Sequence, residues 1–417
     1  MHVNAESPSR AEVWAKRMPL LACLFVLVVG WIYSQHLGGQ GRFKDERDYM
    51  RCGRHLFEDG IFSTNGEEPT AYRPPGYPVV LGTVLQIVPV EGSGVCLRMT
   101  NYFALCGTLL LGAWMLRRRG RPRAAIAASI ATALYPPFLY TASTLYPQTV
   151  GALLLTCFVL AVPTTKHLGL GRAIGIGVLG AMLTLTIPTF LAGIALTLCW
   201  ILWRGRGEAL AGVLVAGLVL TAGVGSWTYR NYKAFDAFVP ISTNAGRNLL
   251  LGNSPDTTPT SGVNVDLTYW EEQAAELEEP ARDRLYRDAA LEWIRDNPGS
   301  AAVLYVGKVL NHFNVWNTFA TDDELGQLEA LGLAIVFVPL FVLFLRRLWR
   351  AGREPYWANE SLLVLIYFGM ALATALFFTR IRFRLPLDHF MIWIAAASLM
   401  RSKDDAGASV ATETPAA

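Results

Sequence analysis

Two short runs of charge in a largely apolar chain carry the residue types that group transfer needs. On a helix, Lys44-Asp45-Glu46-Arg47-Asp48-Tyr49 sets Asp45 and Tyr49 one turn apart on a shared face, with Asp48 beside them. The helix dipole keeps acidic side chains ionised in a first turn. A carboxylate held in that form can take the proton from an acceptor hydroxyl or amine. A solvated, capped surface helix would use the same residues without any chemistry. Far along the chain, Arg380-Ile381-Arg382-Phe383-Arg384 offers guanidinium groups that grip phosphate bidentately or snorkel to lipid headgroups. At the water-lipid boundary the natural anion is a lipid phosphate. Arg73, in Ala71-Tyr72-Arg73-Pro74-Pro75-Gly76-Tyr77-Pro78, adds a cation on a rigid turn. Its prolines end one element and set the entry of the next, and Gly76 permits a tight backbone.

The elements that must position these runs are membrane helices. Hydrophobic residues make up 53% of the 417 and charged residues 17%, with the apolar ones in long blocks, as in membrane proteins. A bilayer core about 30 Å thick needs roughly 20 apolar residues per helix. About ten blocks fit, at 18–34, 95–116, 124–140, 148–164, 172–187, 189–203, 209–227, 329–348, 360–379 and 385–400. Lys and Arg collect on the cytoplasmic side. Starting inside, the basic stretches Arg117–Arg123, Lys166–Arg172, Arg204–Arg206, Arg346–Arg353 and Arg401–Lys403 all fall there. The organisation expected is a cytoplasmic N-terminus (1–17), a first span (18–34), a first outer loop (35–94), spans two to seven (95–227), a large outer loop (228–328), spans eight to ten (329–400) and a disordered cytoplasmic tail (401–417). Tyr77–Pro89 is too short to cross and suits a helix lying in the interface.

The net charge of +3 and the lack of a basic stripe with interleaved aromatics exclude nucleic acid as a partner. Of six cysteines, Cys52 and Cys96 fall in the outer loop and could pair in an oxidising compartment. The large outer loop predicts a helix over Glu271–Asn297 and an amphipathic segment over 300–317. The latter carries Lys308 and His312 either on a solvated face or toward an acceptor. Asn244, Gly246 and Asn253 read as turn formers first and ligands second.

Four separated motifs resemble the GT-C glycosyltransferases of the protein O-mannosyltransferase and aminoarabinose transferase type, glycosyltransferase family 39, in its bacterial members. Asp45-Glu46-Arg47-Asp48-Tyr49 resembles that family's first-loop Asp-Glu-x-x-Tyr, and Arg73–Pro78 its Arg-Pro-Pro-Gly-Tyr-Pro turn. Trp227–Tyr232, Pro240–Asn244 and Gly252–Pro255 resemble a signature after its seventh span, and Arg380–Pro386 its closing Arg-Tyr-Arg-x-Pro. The resemblance implies an all-α polytopic membrane fold of GT-C type in the cell (inner) membrane, working on the outer, periplasmic face. It implies transfer of a sugar from a polyprenyl-phosphate donor to a protein, lipid or surface glycan. By position, Asp45 is then the catalytic residue.

Together with the residue chemistry, this places Glu46 in support of the base and Arg382, Arg384, Arg380, Arg73 and Arg230 on the donor phosphate. Asp48, Tyr49, Tyr77, Lys308, His312 and Asn244 stand around them. In-line attack would invert the anomeric carbon, and the isoprenoid would lie between helices. In the second outer turn Gln148 stands where the family often has a carboxylate, which puts a shared divalent metal in doubt. The competing reading is a transporter or lipid flippase, for which midplane polar residues and repeated halves would be expected.

Overall fold

The computed structural model describes residues 9–39, 41–88, 93–315, 327–354 and 357–399. All regular structure among the described residues is helical. The order is α1 (Arg10–Leu37), α2 (Lys44–Glu58), α3 (Gly76–Ile87), α4 (Ser93–Arg118), α5 (Pro122–Ala133), α6 (Pro136–Ser143), α7 (Gln148–Ala161), α8 (Leu170–Thr186) and α9 (Phe190–Gly205). Then follow α10 (Leu210–Phe235), α11 (Ala245–Gly252), α12 (Thr268–Gln273), α13 (Glu279–Asp296), α14 (Pro298–Asn311), α15 (Gln327–Arg350), α16 (Glu360–Thr374) and α17 (Ile381–Leu399).

Four of these are long and apolar enough to cross a membrane: α1, α4, α10 and α15 from Ala330. The bent pair α5 and α6 makes a fifth candidate span, and α3, α7, α8, α9 and α16 are shorter apolar helices. Leu210, Leu214 and Leu218 of α10, spaced one turn apart, are 50%, 63% and 71% exposed. Such a stripe has no place in water and faces lipid. The chain is an all-helical protein of polytopic membrane type. The predicted tail, 401–417, lies outside the described residues.

Helix boundaries depart from expectation where proline or a short turn interrupts the amide ladder. The segment expected as one helix over 124–140 is α5 and α6, bent by 53°. Pro136 and Pro137 supply no N–H and disfavour helix in the residue before them. The helix expected over Glu271–Asn297 is likewise split into α12 and α13, the second opening with Pro280 in its first turn. The last helix starts at Ile381 rather than 385, which decides the roles of its arginines. Cys52 and Cys96 are both free thiols rather than a disulfide.

Helix α17 is the axis of the bundle, buried without a break from Arg384 to Ala397 and packed upon by α5, α7, α15 and α16. At one end of the bundle α2 lies across α3 with backbones in contact. A Cβ on Gly82 would fall 2.5 Å from the Gly53 carbonyl oxygen, and one on Gly53 would strike Pro78. Gly76 allows the start of α3 to touch the end of α8, since a Cβ there would lie 2.9 Å from the Thr186 Cα. These close crossings fix α2, and with it Asp45, over the bundle. Packing of α11 on α13, with Tyr286, Leu250 and Phe378 in a small apolar core, builds the lobe on its other side.

Candidate active site

Between α2, the Tyr72–Arg73 turn, α6, α13 and the start of α17 lies a cavity of about 1170 Å³. Its lining includes charged side chains, Asp45, Asp48, Arg73, Arg380 and Arg382, and apolar ones, Pro136, Pro137, Leu333 and Leu385. The bend at Pro136 thus turns α6 into cavity wall.

Helix α2 places its first-turn carboxylates on different faces, because neighbouring helical residues diverge by about 100°. Asp45 faces the cavity. Glu46 is wholly buried, accepting the Arg42 N–H at 2.7 Å and the Leu145 N–H at 3.0 Å, with Arg98 at 3.9 Å. Glu46 therefore ties the residues before α2 to the turn before α7, and it lies outside the cavity lining. Buried Tyr49 packs edge-on to Tyr77 at 5.4 Å, and Asn101 donates to the Tyr77 oxygen at 3.1 Å. Burial pushes the Tyr49 phenol up to about 12, so it stays neutral. Tyr49 and Tyr77 form the floor under Asp45 rather than part of the lining.

Arg73 donates from Nη2 to Asp45 Oδ1 at 2.5 Å and to Asp48 Oδ2 at 2.8 Å. It is buried and its charge is matched twice over, so it positions carboxylates instead of offering a free cation to phosphate. Arg382 differs. Its Nη2 stands 3.9 Å from Asp45 Oδ2, too far for a hydrogen bond, and its guanidinium lies 4.9 Å over the Tyr146 ring. Burial alone would raise the Asp45 carboxyl. The guanidiniums of Arg73 and Arg382, helped by the Tyr146 hydroxyl, outweigh it and hold Asp45 below the usual carboxylate range. Asp45 is a fixed, ionised carboxylate beside a less constrained cation.

The other predicted residues divide sharply. Arg380 is buried in the cavity wall beside Gly262. Arg384 faces away. Residues two apart on a helix point to opposite sides, so with α17 starting at Ile381, Arg382 takes the cavity and Arg384 the core. There Arg384 pairs with Asp388 at 3.0 Å, donates to the His312 and Asn314 carbonyls at 2.9 Å and stacks 3.7 Å over Phe337. Arg230 clasps the first outer loop, donating to Thr70 O at 2.8 Å and Phe62 O at 3.1 Å.

Lys308 and His312 lie on neither a solvated face nor a ligand face. Lys308 is buried and donates to Gly252 O, Asn253 Oδ1 and Phe377 O at 2.8, 3.1 and 2.8 Å, matching all three ammonium protons. His312 is buried against Thr374 at 3.2 Å; burial and the Arg384 charge push it down to about 3. Asn244 precedes α11 and accepts from Ser242 at 3.0 Å, a turn residue outside the lining. Lys308 and His312 hold helices together.

No protein-family model matches the chain, and no curated protein matches it. Among solved structures, it is similar to the crystal structure of ArnT from Cupriavidus metallidurans bound to undecaprenyl phosphate. The identity is 15%, 94% of this chain and 79% of that chain are covered, and the TM-score is 0.42.

The lining does not suit a divalent metal. Arg73 takes the two α2 carboxylates that line the cavity, Asp45 and Asp48, and supplies the positive charge between them. Gln148, which lines the cavity with its Oε1 buried and unpartnered among the described residues, is neutral. Among the described residues no cluster of three His, Cys, Asp or Glu side chains has metal-binding geometry.

Several lining residues escaped the sequence. Glu279 accepts from Thr70 Oγ1 at 2.7 Å, the Ala71 N–H at 2.8 Å and Thr243 Oγ1 at 2.5 Å, joining the two outer loops above the cavity. Arg247 pairs with Glu271 at 2.7 Å, and Arg282 and Tyr146 complete the rim. Only Tyr146 had a signal, its place in the outer turn next to Gln148. Glu279 is one acid in an acid-rich loop, and its partners are more than 200 residues away for Thr70 and Ala71.

Proposed function

We propose that this protein is a membrane glycosyltransferase of GT-C type that moves a sugar from a polyprenyl-phosphate donor to an acceptor on the outer, periplasmic face. What carries the reading is Asp45: a carboxylate held ionised by Arg73 on one oxygen, with Arg382 near the other, at the wall of a cavity lined by both charged and apolar side chains. The apolar side chains suit an isoprenoid, and the arginines suit its phosphate. Arg382, with Arg380 beside it, binds the phosphate and stabilises the negative charge that develops as it leaves.

In the reaction the acceptor hydroxyl or amine gives its proton to Asp45 and forms a bond to the anomeric carbon. The bond from that carbon to the phosphate oxygen breaks, and polyprenyl phosphate departs with the electron pair. Displacement in line inverts the anomeric carbon. Arg382 also couples binding to basicity. With no phosphate, its charge helps hold the Asp45 proton affinity down; once it pairs with phosphate, that influence weakens and Asp45 becomes the better base. Arg73, matched by two carboxylates, keeps the base in place throughout.

The test is release of free polyprenyl phosphate from a panel of labelled polyprenyl-phosphate sugars, with envelope extract as acceptor, by the wild type and by Asp45→Asn in nanodiscs. Turnover by the wild type alone, with donor binding kept in the variant, is expected. Equal turnover would remove Asp45 as the base. Absence of donor binding and consumption by both would favour transport over transfer.

A further inference from the structure

From Arg98, beside Glu46, to Arg118, helix α4 climbs about 30 Å at 1.5 Å per residue. At that far end lies a second cavity, of about 480 Å³, walled by Trp114 and Arg118 of α4, Arg119 just after it, Arg172 of α8, and Trp357 and Asn359 before α16. Its charge is one-sided. Among the described residues none of the three arginines has a carboxylate partner. Arg118 lies 5.4 Å over the Trp114 ring and Arg119 5.8 Å over Trp357. Behind them Arg204 donates to Asn359 Oδ1 at 2.9 Å and to Thr164 O at 2.5 Å, two neutral acceptors. Burial and the Arg204 charge both push Arg119 down from its ordinary value. The indole N–H of Trp357, a lining residue, is buried and has no acceptor among the described residues.

Uncompensated guanidiniums around a buried donor form a cradle whose missing element is an oxyanion. The nearby membrane surface suggests its carrier. Leu170, which opens α8 two residues before Arg172, is 66% exposed, and Trp203, one residue before Arg204, is 77% exposed. Tryptophan at a helix end with arginine beside it marks the level of lipid headgroups. We propose that this cavity binds a phosphate group, carried by an anionic phospholipid of the leaflet opposite the large cavity. Arg119 and Arg172 grip the phosphate oxygens and the Trp357 indole donates to one of them, while the acyl chains run along the apolar helix faces. The site is separate from the proposed transfer chemistry and does not depend on it.

The probe is phosphatidylglycerol, diluted in phosphatidylcholine nanodiscs around the full-length protein, with retained lipid counted by native mass spectrometry. The wild type is expected to retain phosphatidylglycerol roughly tenfold more strongly than R119Q/R172Q, the effect of losing charge-assisted bonds. Trp357→Phe keeps the ring and removes only the N–H, and is expected to fall between the two. Equal retention by the wild type and R119Q/R172Q overturns the proposal. Should the double variant fail to fold, Trp357→Phe decides: retention equal to wild type overturns it, and a several-fold loss supports it. A further arm adds inorganic phosphate to phosphatidylcholine nanodiscs and follows tryptophan fluorescence. A saturable, arginine-dependent change with phosphate alone, without selective phosphatidylglycerol retention, overturns the lipid assignment in favour of a soluble phosphate.

Discussion

Arg382 and Arg384 stand two residues apart, each near an aspartate, yet they belong to different kinds of structure. In the core, Arg384 is held by Asp388 and two carbonyls, and Asp388 also accepts from Tyr135 at 3.0 Å and Tyr367 at 3.3 Å. Nothing there can change partner without leaving a charge stranded in an apolar interior. At the cavity, Arg73 locks one oxygen of Asp45, and Arg382 is half-buried and 3.9 Å from the other. The first cluster fixes helices; the second lines a cavity, where Arg382 and Asp45 can meet a ligand. An arginine-aspartate pair is thus no indicator of function until its surroundings show whether it is enclosed in the core or opens onto a cavity.

The comparison can be broken first at Asp45. Asp45→Asn should cut turnover by about 10²–10⁴-fold, the usual contribution of a positioned base, with thermal unfolding close to wild type because Asp48 still pairs with Arg73. In the core the expectation reverses. Asp388→Ala should lower stability by about 3–5 kcal/mol, read from thermal unfolding in detergent, while the paired change D388L/R384M should recover most of it. If D388A melted like the wild type, the proposed division between the clusters would be wrong.

Arg382→Gln sharpens the cavity side. Losing one charge-assisted contact to phosphate should weaken donor binding roughly ten- to hundredfold, measured by titration of labelled donor, with little change in melting. Glu279→Gln lies between the two kinds. It should loosen the junction of the outer loops by about 1–2 kcal/mol, raising KM for donor more than it lowers kcat.

The smallest effect is in pH. Activity needs Asp45 deprotonated, and its folded pKa lies below the usual carboxylate range. The acid limb of kcat/KM should therefore sit below that range, the active form surviving as pH falls. Arg382→Gln should move the limb upward. A limb that stayed in place would mean that Arg382 does not tune the base.

Much of the helical layout was legible because lipid demands long apolar blocks and internally satisfied backbones, both written directly into residue order. The charged first turn of α2 and the arginine run before Pro386 were legible for a similar reason, since charge is conspicuous against such a background. Which charged residue does what was not. Glu46 against Asp45, and Arg384 against Arg382, differ only in the helix face they occupy. That face follows from where α2 and α17 begin and what they pack upon. Lys308 and His312 look like surface residues of an amphipathic segment until α11 and α16 close over them. Glu279 acquires its role only when two loops distant in sequence meet.

By itself the sequence determined a chain of membrane helices with charge gathered at their ends, because hydropathy is a property of residues in order. The tertiary structure alone decided which charges remain open to a ligand, because satisfaction of a polar group depends on partners brought together in space.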